Sequence, residues 1–244
     1  MISIAAVGDV HLDGAMAGHY RAQLGSLADD ADVLLLAGDL TKHGTLEEGR
    51  VVAEEFRGLD VPVIAVLGNH DHQSDAQDTI AEMLRAEGIT VLEGDGVTID
   101  CLGGRLGVAG VKGFGGGFAG KGATEFGERE TKEFVRHGRE AAERLGAALQ
   151  GLDADIRVGL THYAPVKETL AGEPLEIYPF LGNYLLAEAL DNAEAALGLH
   201  GHAHAGTENG LTPGGVRVRN VAMPVLRRTY GLYCLQPDIL GNRG

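Results

Sequence analysis

Five largely apolar runs each lead into a residue suited to binding metal. Ile2–Val7 leads into Gly8-Asp9-Val10-His11, Val33–Ala37 into Gly38-Asp39, and Val61–Leu67 into Gly68-Asn69-His70-Asp71. Ile156–Leu160 leads into Thr161-His162, and Ala195–Leu199 into His200-Gly201-His202-Ala203-His204. Continuous apolar runs are the mark of parallel strands buried on both faces. Open α/β sheets carry their sites just beyond the carboxyl ends of such strands. One edge of one sheet is therefore expected to gather two carboxylates, an amide and several imidazoles, a set whose main chemical use is metal binding.

The rest of the chain narrows the setting. Its 244 residues suffice for one large α/β domain or two small ones. No linker, low-complexity tract or repeat divides it, so a single domain over residues 1–244 is expected. No apolar stretch approaches a membrane span. With the first run starting at Ile2, no signal peptide is expected. Cys101 and Cys234 do not make a disulfide framework, read as small buried hydrophobes, and fit a reducing cytoplasm. The net charge is −15, and the largest cationic cluster is Arg227-Arg228. That excludes the basic footprint of a nucleic-acid binder. The absence of Trp and an aromatic content of 5% argue against stacking platforms for single strands. A small substrate is expected as partner, with no membrane and no nucleic acid, and with self-association left open. If that substrate is anionic, bound cations must offset the protein's own field.

Gly8, Gly38 and Gly68 recur every thirty residues, about the length of one βαβ unit. Thr45-Leu46-Glu47-Glu48 reads as a capping box opening a helix to about Arg57, and Ser74-Asp75-Ala76-Gln77 as another opening a helix to about Glu87. A weaker helical pattern covers Met16–Ala28. The first third thus reads as β-loop-α three times over, in a parallel sheet. Ile89–Leu92, Val97–Cys101 and Leu106–Val111 read as strands of a second, partly antiparallel sheet. Helices are expected over Thr131–Gln150 and Tyr184–Asp191, a loop over 163–183, and strands over Val216–Val221 and Thr229–Leu235. The glycine-rich stretch Gly113–Gly122 lacks the Gly-Lys-Ser/Thr ending of a phosphate loop and reads as either a gating lid or a plain connection.

Asp9 and His11, two apart in an extended segment, point to one side, as do His202 and His204. Asp39 has two oxygens and can bridge two cations; Asn69 offers a neutral amide oxygen. Carboxylate, imidazole and amide together suit Mn, Fe, Zn or Co. The five blocks Asp-x-His, Gly-Asp, Gly-Asn-His-Asp, His and Gly-His-x-His, present in that order from Asp9 to His204, resemble the calcineurin-like metallophosphoesterases. The resemblance implies an α/β fold, a four-layer α/β/β/α sandwich of two mixed sheets flanked by helices, around two divalent or trivalent transition-metal ions. It implies one metal on Asp9, His11, Asp39 and His204 and another on Asp39, Asn69, His162 and His202. It also implies His70 as the acid that protonates the leaving group, supported by Asp71. Two such metals hold and acidify a water and clamp an in-line displacement at phosphorus. Gly38-Asp39-Leu40-Thr41-Lys42-His43-Gly44 and the block ending in Asp71 resemble the class III cyclic-nucleotide phosphodiesterase branch rather than the serine/threonine protein phosphatases. Hydrolysis of a small phosphodiester is therefore expected. A phosphomonoesterase or protein phosphatase on the same site, and a non-catalytic interaction scaffold, are the alternatives.

Overall fold

A computed structural model describes residues 1–237. The strands are β1 (Ile2–Val7), β2 (Val33–Ala37), β3 (Val63–Val66), β4 (Thr90–Val91), β5 (Asp95–Cys101), β6 (Gly104–Val111), β7 (Gly117–Phe118), β8 (Lys121–Gly122), β9 (Ile156–Thr161), β10 (Leu197–His200), β11 (Asn209–Leu211), β12 (Arg217–Asn220) and β13 (Gly231–Leu235). The α-helices are α1 (Leu27–Asp30), α2 (Leu46–Phe56), α3 (Gln77–Ala86), α4 (Arg129–Gly151), α5 (Tyr178–Leu181), α6 (Tyr184–Asn192) and α7 (Met223–Leu226).

They build two large mixed sheets flanked by helices. One sheet runs β13-β1-β2-β3-β4, parallel except for the antiparallel edge strand β13. The other runs β11-β12-β10-β9-β6-β5, with a parallel centre and an antiparallel strand at each edge. Strand side chains alternate between faces, and the alternation sorts them into three cores. Ile2, Ile4, Val33, Leu35 and Ile64 meet Leu106, Val108, Val158, Leu160 and Leu199 between the sheets. Ala5, Val7, Leu34 and Leu36 face the other way, onto Val52, Phe56, Ile80 and Leu84 of α2 and α3. Ala109, Val111 and Val218 pack outward on Leu145 and Leu149 of α4 and Leu186 and Leu190 of α6. Gly159 of β9 and Gly198 of β10 admit α6: a Cβ on Gly198 would lie 2.7 Å from Leu190 Cδ1.

Several expectations need correction. Residues Ile89–Leu92 do not join the second sheet, because β4 pairs parallel with β3 in the first. The Ser74 capping box does not form: α3 starts at Gln77 with no side-chain cap, and Ser74 Oγ donates to the His43 carbonyl. The Thr45–Glu48 box is present in both directions. Residues 16–28 hold the end of one short 3-10 turn, a second at Arg21–Gln23 and the start of α1 instead of one helix, so His19 lies in a turn. Gly113–Gly122 contains the β7–β8 hairpin, and the 163–183 loop contains α5. Cys101 is half-buried and Cys234 exposed. No helix among the described residues is long and apolar enough to cross a membrane.

Candidate metal centre

The carboxyl ends of the central strands of both sheets open onto one cleft. The expected single sheet edge is therefore two edges, with β1, β2 and β3 supplying Asp9, His11, Asp39, Asn69 and His70, and β9 and β10 supplying His162, His202 and His204. Main-chain bonds stitch the edges together. The Gly8 N–H donates to the Val221 carbonyl at 2.8 Å, Val221 N–H to the His200 carbonyl at 2.7 Å, and Asp9 N–H to the Gly38 carbonyl at 2.9 Å. The blocks are thereby fixed to a common frame although some lie almost two hundred residues apart.

Four of the converging residues stand in the left-handed backbone region: Asp9 at φ 56°, His11 at 44°, Asp39 at 51° and His202 at 71°. Such conformations cost of order 1–3 kcal/mol each and persist where the surroundings over-determine them. They turn each side chain off its strand axis into the cleft. Gly38 must be glycine: at φ 82° a Cβ there would lie 2.6 Å from His162 Nδ1.

One group of ligand atoms comes from Asp9, His11, Asp39 and His204; a second comes from Asp39, His162 and His202. Within each, the atoms lie no more than 4.8 Å apart. Asp39 is common to both. Asn69 joins the second group, its Oδ1 2.9 Å from His162 Nε2. His11 Nε2 and His204 Nε2 are 3.4 Å apart, and His204 Nε2 lies 2.8 Å from Asp9 Oδ1. The imidazoles are aimed by main-chain partners: the Ala37 carbonyl accepts from His162 Nδ1 at 2.9 Å, which leaves Nε2 to face the cleft. The His202 N–H donates to both Asp9 oxygens, and the His70 N–H to Asp39 Oδ1 at 2.8 Å.

His70 lies at the rim, its Nε2 3.9 Å from Asp39 Oδ2 and its Nδ1 2.7 Å from the Lys42 carbonyl. Asp71, which the resemblance implies as support for His70, makes its hydrogen bonds to other groups. Its carboxylate is fully buried and accepts from the Leu40, Thr41 and Gly68 N–H groups and the Thr41 hydroxyl. It ties the second and third blocks together, and the Lys42 carbonyl orients the His70 ring.

Three further histidines make structural contacts. His200 is buried, bonded to the Gly201 carbonyl and the Thr169 hydroxyl. His43 pairs with Glu48 at 2.9 Å, and His137 stands edge-on to Phe114. Asn220 is buried, donating to the Ala203 carbonyl and accepting from Ala222, which secures the His202–His204 turn.

The electrostatics call for a cation. Burial raises the Asp39 carboxyl, and the Asp9 charge adds to this, overcoming the pull of His162. Burial also works against Asp9, but the His204 hydrogen bond and the His162 and His204 charges carry it below its usual value. The hydrogen bond to Asp9 raises His204. Burial drives His11 down to about 4 and His202 down to about 3, which keeps their nitrogens free as donors. No Lys or Arg among the described residues pairs with Asp9 or Asp39. Two adjacent buried carboxylates beside the unprotonated imidazoles of His11 and His202 fit a divalent or trivalent metal.

Sequence reading passed over one residue. Lys112 follows the apolar run of β6 directly, at a strand end like the five blocks. Its carbonyl accepts from the His162 and Tyr163 N–H groups at 3.0 and 3.1 Å.

The profile of the calcineurin-like phosphoesterases matches residues 2–206. No curated protein matches the sequence. Among solved structures, a phosphopantetheinyl hydrolase from Mycobacterium tuberculosis is similar with TM-score 0.67 at 19% identity, over 99% of this chain and 98% of that one. A putative 5′-nucleotidase from Staphylococcus aureus gives 0.58 at 15% identity over 90% of this chain and 48% of that one. A phosphatase from Mycoplasma pneumoniae gives 0.52 at 14% identity over 91% and 71%. At these identities the structures speak to the fold, whose two helix-flanked mixed sheets they share. With five motif blocks in order, ligand atoms gathered at the strand ends and a profile match over most of its length, the chain belongs to the calcineurin-like phosphoesterase family.

Proposed function

We propose that this protein is a dinuclear-metal phosphodiesterase acting on a small-molecule ester. The observation that carries the reading is the pair of ligand groups sharing Asp39. One ion is assigned to Asp9, His11, Asp39 and His204, the other to Asp39, Asn69, His162 and His202. When bound, the two ions supply Lewis acidity toward the phosphoryl oxygens and an acidified water for in-line displacement.

The chain's own residues do the rest. Asp39 sets the spacing of the two groups. Asp71 holds the second and third blocks in register. The Lys42 carbonyl accepts from His70 Nδ1–H, so a proton exchanged with substrate does so at Nε2, which faces the cleft. A proton delivered there to the departing alkoxide makes His70 the general acid. Such an acid suits the poor leaving groups of alkyl diesters. The Gly38–Gly44 segment and Asp71, which resemble the phosphodiesterase branch, support the same preference. The similarity to a phosphopantetheinyl hydrolase over almost the whole chain adds phosphopantetheinyl esters to the compounds to assay.

The test is hydrolysis by metal-reconstituted protein of bis(p-nitrophenyl) phosphate against p-nitrophenyl phosphate. Faster turnover of the diester is expected. Preference for the monoester would replace the reading with a phosphomonoesterase. No turnover of either by protein carrying two ions per chain would favour a scaffold.

A further inference from the structure

The molecule is poor in aromatic residues, yet three of them, Tyr163, Phe114 and Phe134, form a chain leading away from the metal centre. Tyr163 stacks against His202 with ring centroids 4.5 Å apart, Phe114 lies 5.7 Å from Tyr163, and Phe134 lies 5.0 Å from Phe114. Over the faces of Phe114 and Tyr163, at 5.2 and 5.3 Å from their centroids, stands the ammonium of Lys112. Both distances are within cation–π range.

Lys112 is 9% exposed. Its three N–H donors have one hydrogen bond between them, a long contact of 3.5 Å to the Gly113 carbonyl. No carboxylate among the described residues forms an ion pair with it. Glu93 is close by, but one of its oxygens accepts from the Lys112 backbone N–H and the other from Arg144. Lys42, the other lysine near the cleft, is tied to Asp13 at 2.9 Å. A buried ammonium with unfilled donors is costly unless an anion completes it.

We propose that Lys112 is a specificity-determining residue that binds a second phosphate carried by the ester substrate, beyond the one undergoing hydrolysis. This rests on the phosphoesterase reading above and names its substrate class: a phosphodiester bearing a further phosphate. The charge arithmetic agrees. The metal ions offset the reacting phosphate, but a second phosphate would face the field of a −15 protein and needs a cation of its own. A lysine is a compact charge suited to that task. Phe114 and Tyr163 shield the ammonium from water on two sides and strengthen its pull on an incoming anion.

Thymidine 5′-(p-nitrophenyl phosphate) and its 3′-phosphorylated counterpart share one reacting diester and differ by one phosphate, which makes them the test pair. Metal-loaded protein is expected to favour the 3′-phosphorylated ester in kcat/KM by roughly 10- to 100-fold. K112M should abolish the preference and K112R should retain part of it. The preference is a ratio, so it is independent of any general loss of activity in a variant. Calorimetry with thymidine 5′-phosphate and thymidine 3′,5′-bisphosphate supplies a readout without turnover. The bisphosphate should bind more tightly to wild type, and equally with the monophosphate to K112M. Equal kcat/KM for the two esters in wild type, or an undiminished preference in K112M, overturns the role of Lys112 and leaves the phosphoesterase reading standing. Absence of turnover with the binding preference intact overturns the enzymatic reading and supports Lys112 as an anion site.

Discussion

His70 and Asp71 are neighbours in sequence with separate duties, and two substitutions should tell them apart. His70→Ala is expected to leave two metals per chain and to slow hydrolysis by about 10²–10⁴-fold for poor leaving groups, and far less for p-nitrophenolate. Equal slowing across a leaving-group series would remove the acid role. Asp71→Ala strips a buried acceptor from four donors. It should lower unfolding free energy by about 2–4 kcal/mol in denaturant titration, with metal affinity reduced as a consequence of loosened loops. Unchanged stability would show that the carboxylate does not pin those loops. The convergence of Asp9, His11, Asp39, Asn69, His162, His202 and His204 was legible because each ends or follows an apolar run. The buried seat of Asp71 was not, since its donors come from residues 40, 41 and 68 and only folding brings them together. Lys112 was hidden for the same reason: what isolates its ammonium is the diversion of Glu93 to Arg144.

Among elements, the strands were easier to read than the helix starts. The Thr45 box formed as the local pattern dictates, whereas Ser74 found a longer-range acceptor in the His43 carbonyl and gave up the cap. A two-residue strand such as β4 carries too little pattern to declare its sheet, and pairing with β3 decided it. The glycines of β9 and β10 mark where α6 presses onto the second sheet. Gly198→Ala should force Leu190 out of place and cost about 1–3 kcal/mol in unfolding, with two metals still bound. Loss of metal without loss of stability would contradict a purely packing role. Gly38→Ala should do the reverse. Its Cβ would strike His162, so metal affinity falls most at the group containing Asn69, His162 and His202, as metal titration would show.

For the molecule as a whole, the cleft joins two sheets whose edges would otherwise hold two carboxylates side by side in a dry setting. The hydrogen bond to Asp9 raises the His204 pKa above its ordinary value, so metal and proton compete for this imidazole. The sign follows: the imidazole is increasingly protonated as pH falls through that raised value, so affinity for metal should fall with it and recover as pH rises. Calorimetric titration in buffers of differing ionisation enthalpy should register proton release on binding, and His204→Gln should reduce it. Release that is unchanged in the variant would place the displaced proton elsewhere. The claim beneath all of this is that Asp39 stands between two ions. Anomalous X-ray scattering from crystals of metal-loaded protein tests it most directly. The account predicts two peaks about 3.5–4 Å apart with Asp39 in contact with both, and a lone peak, or peaks away from Asp39, would contradict it.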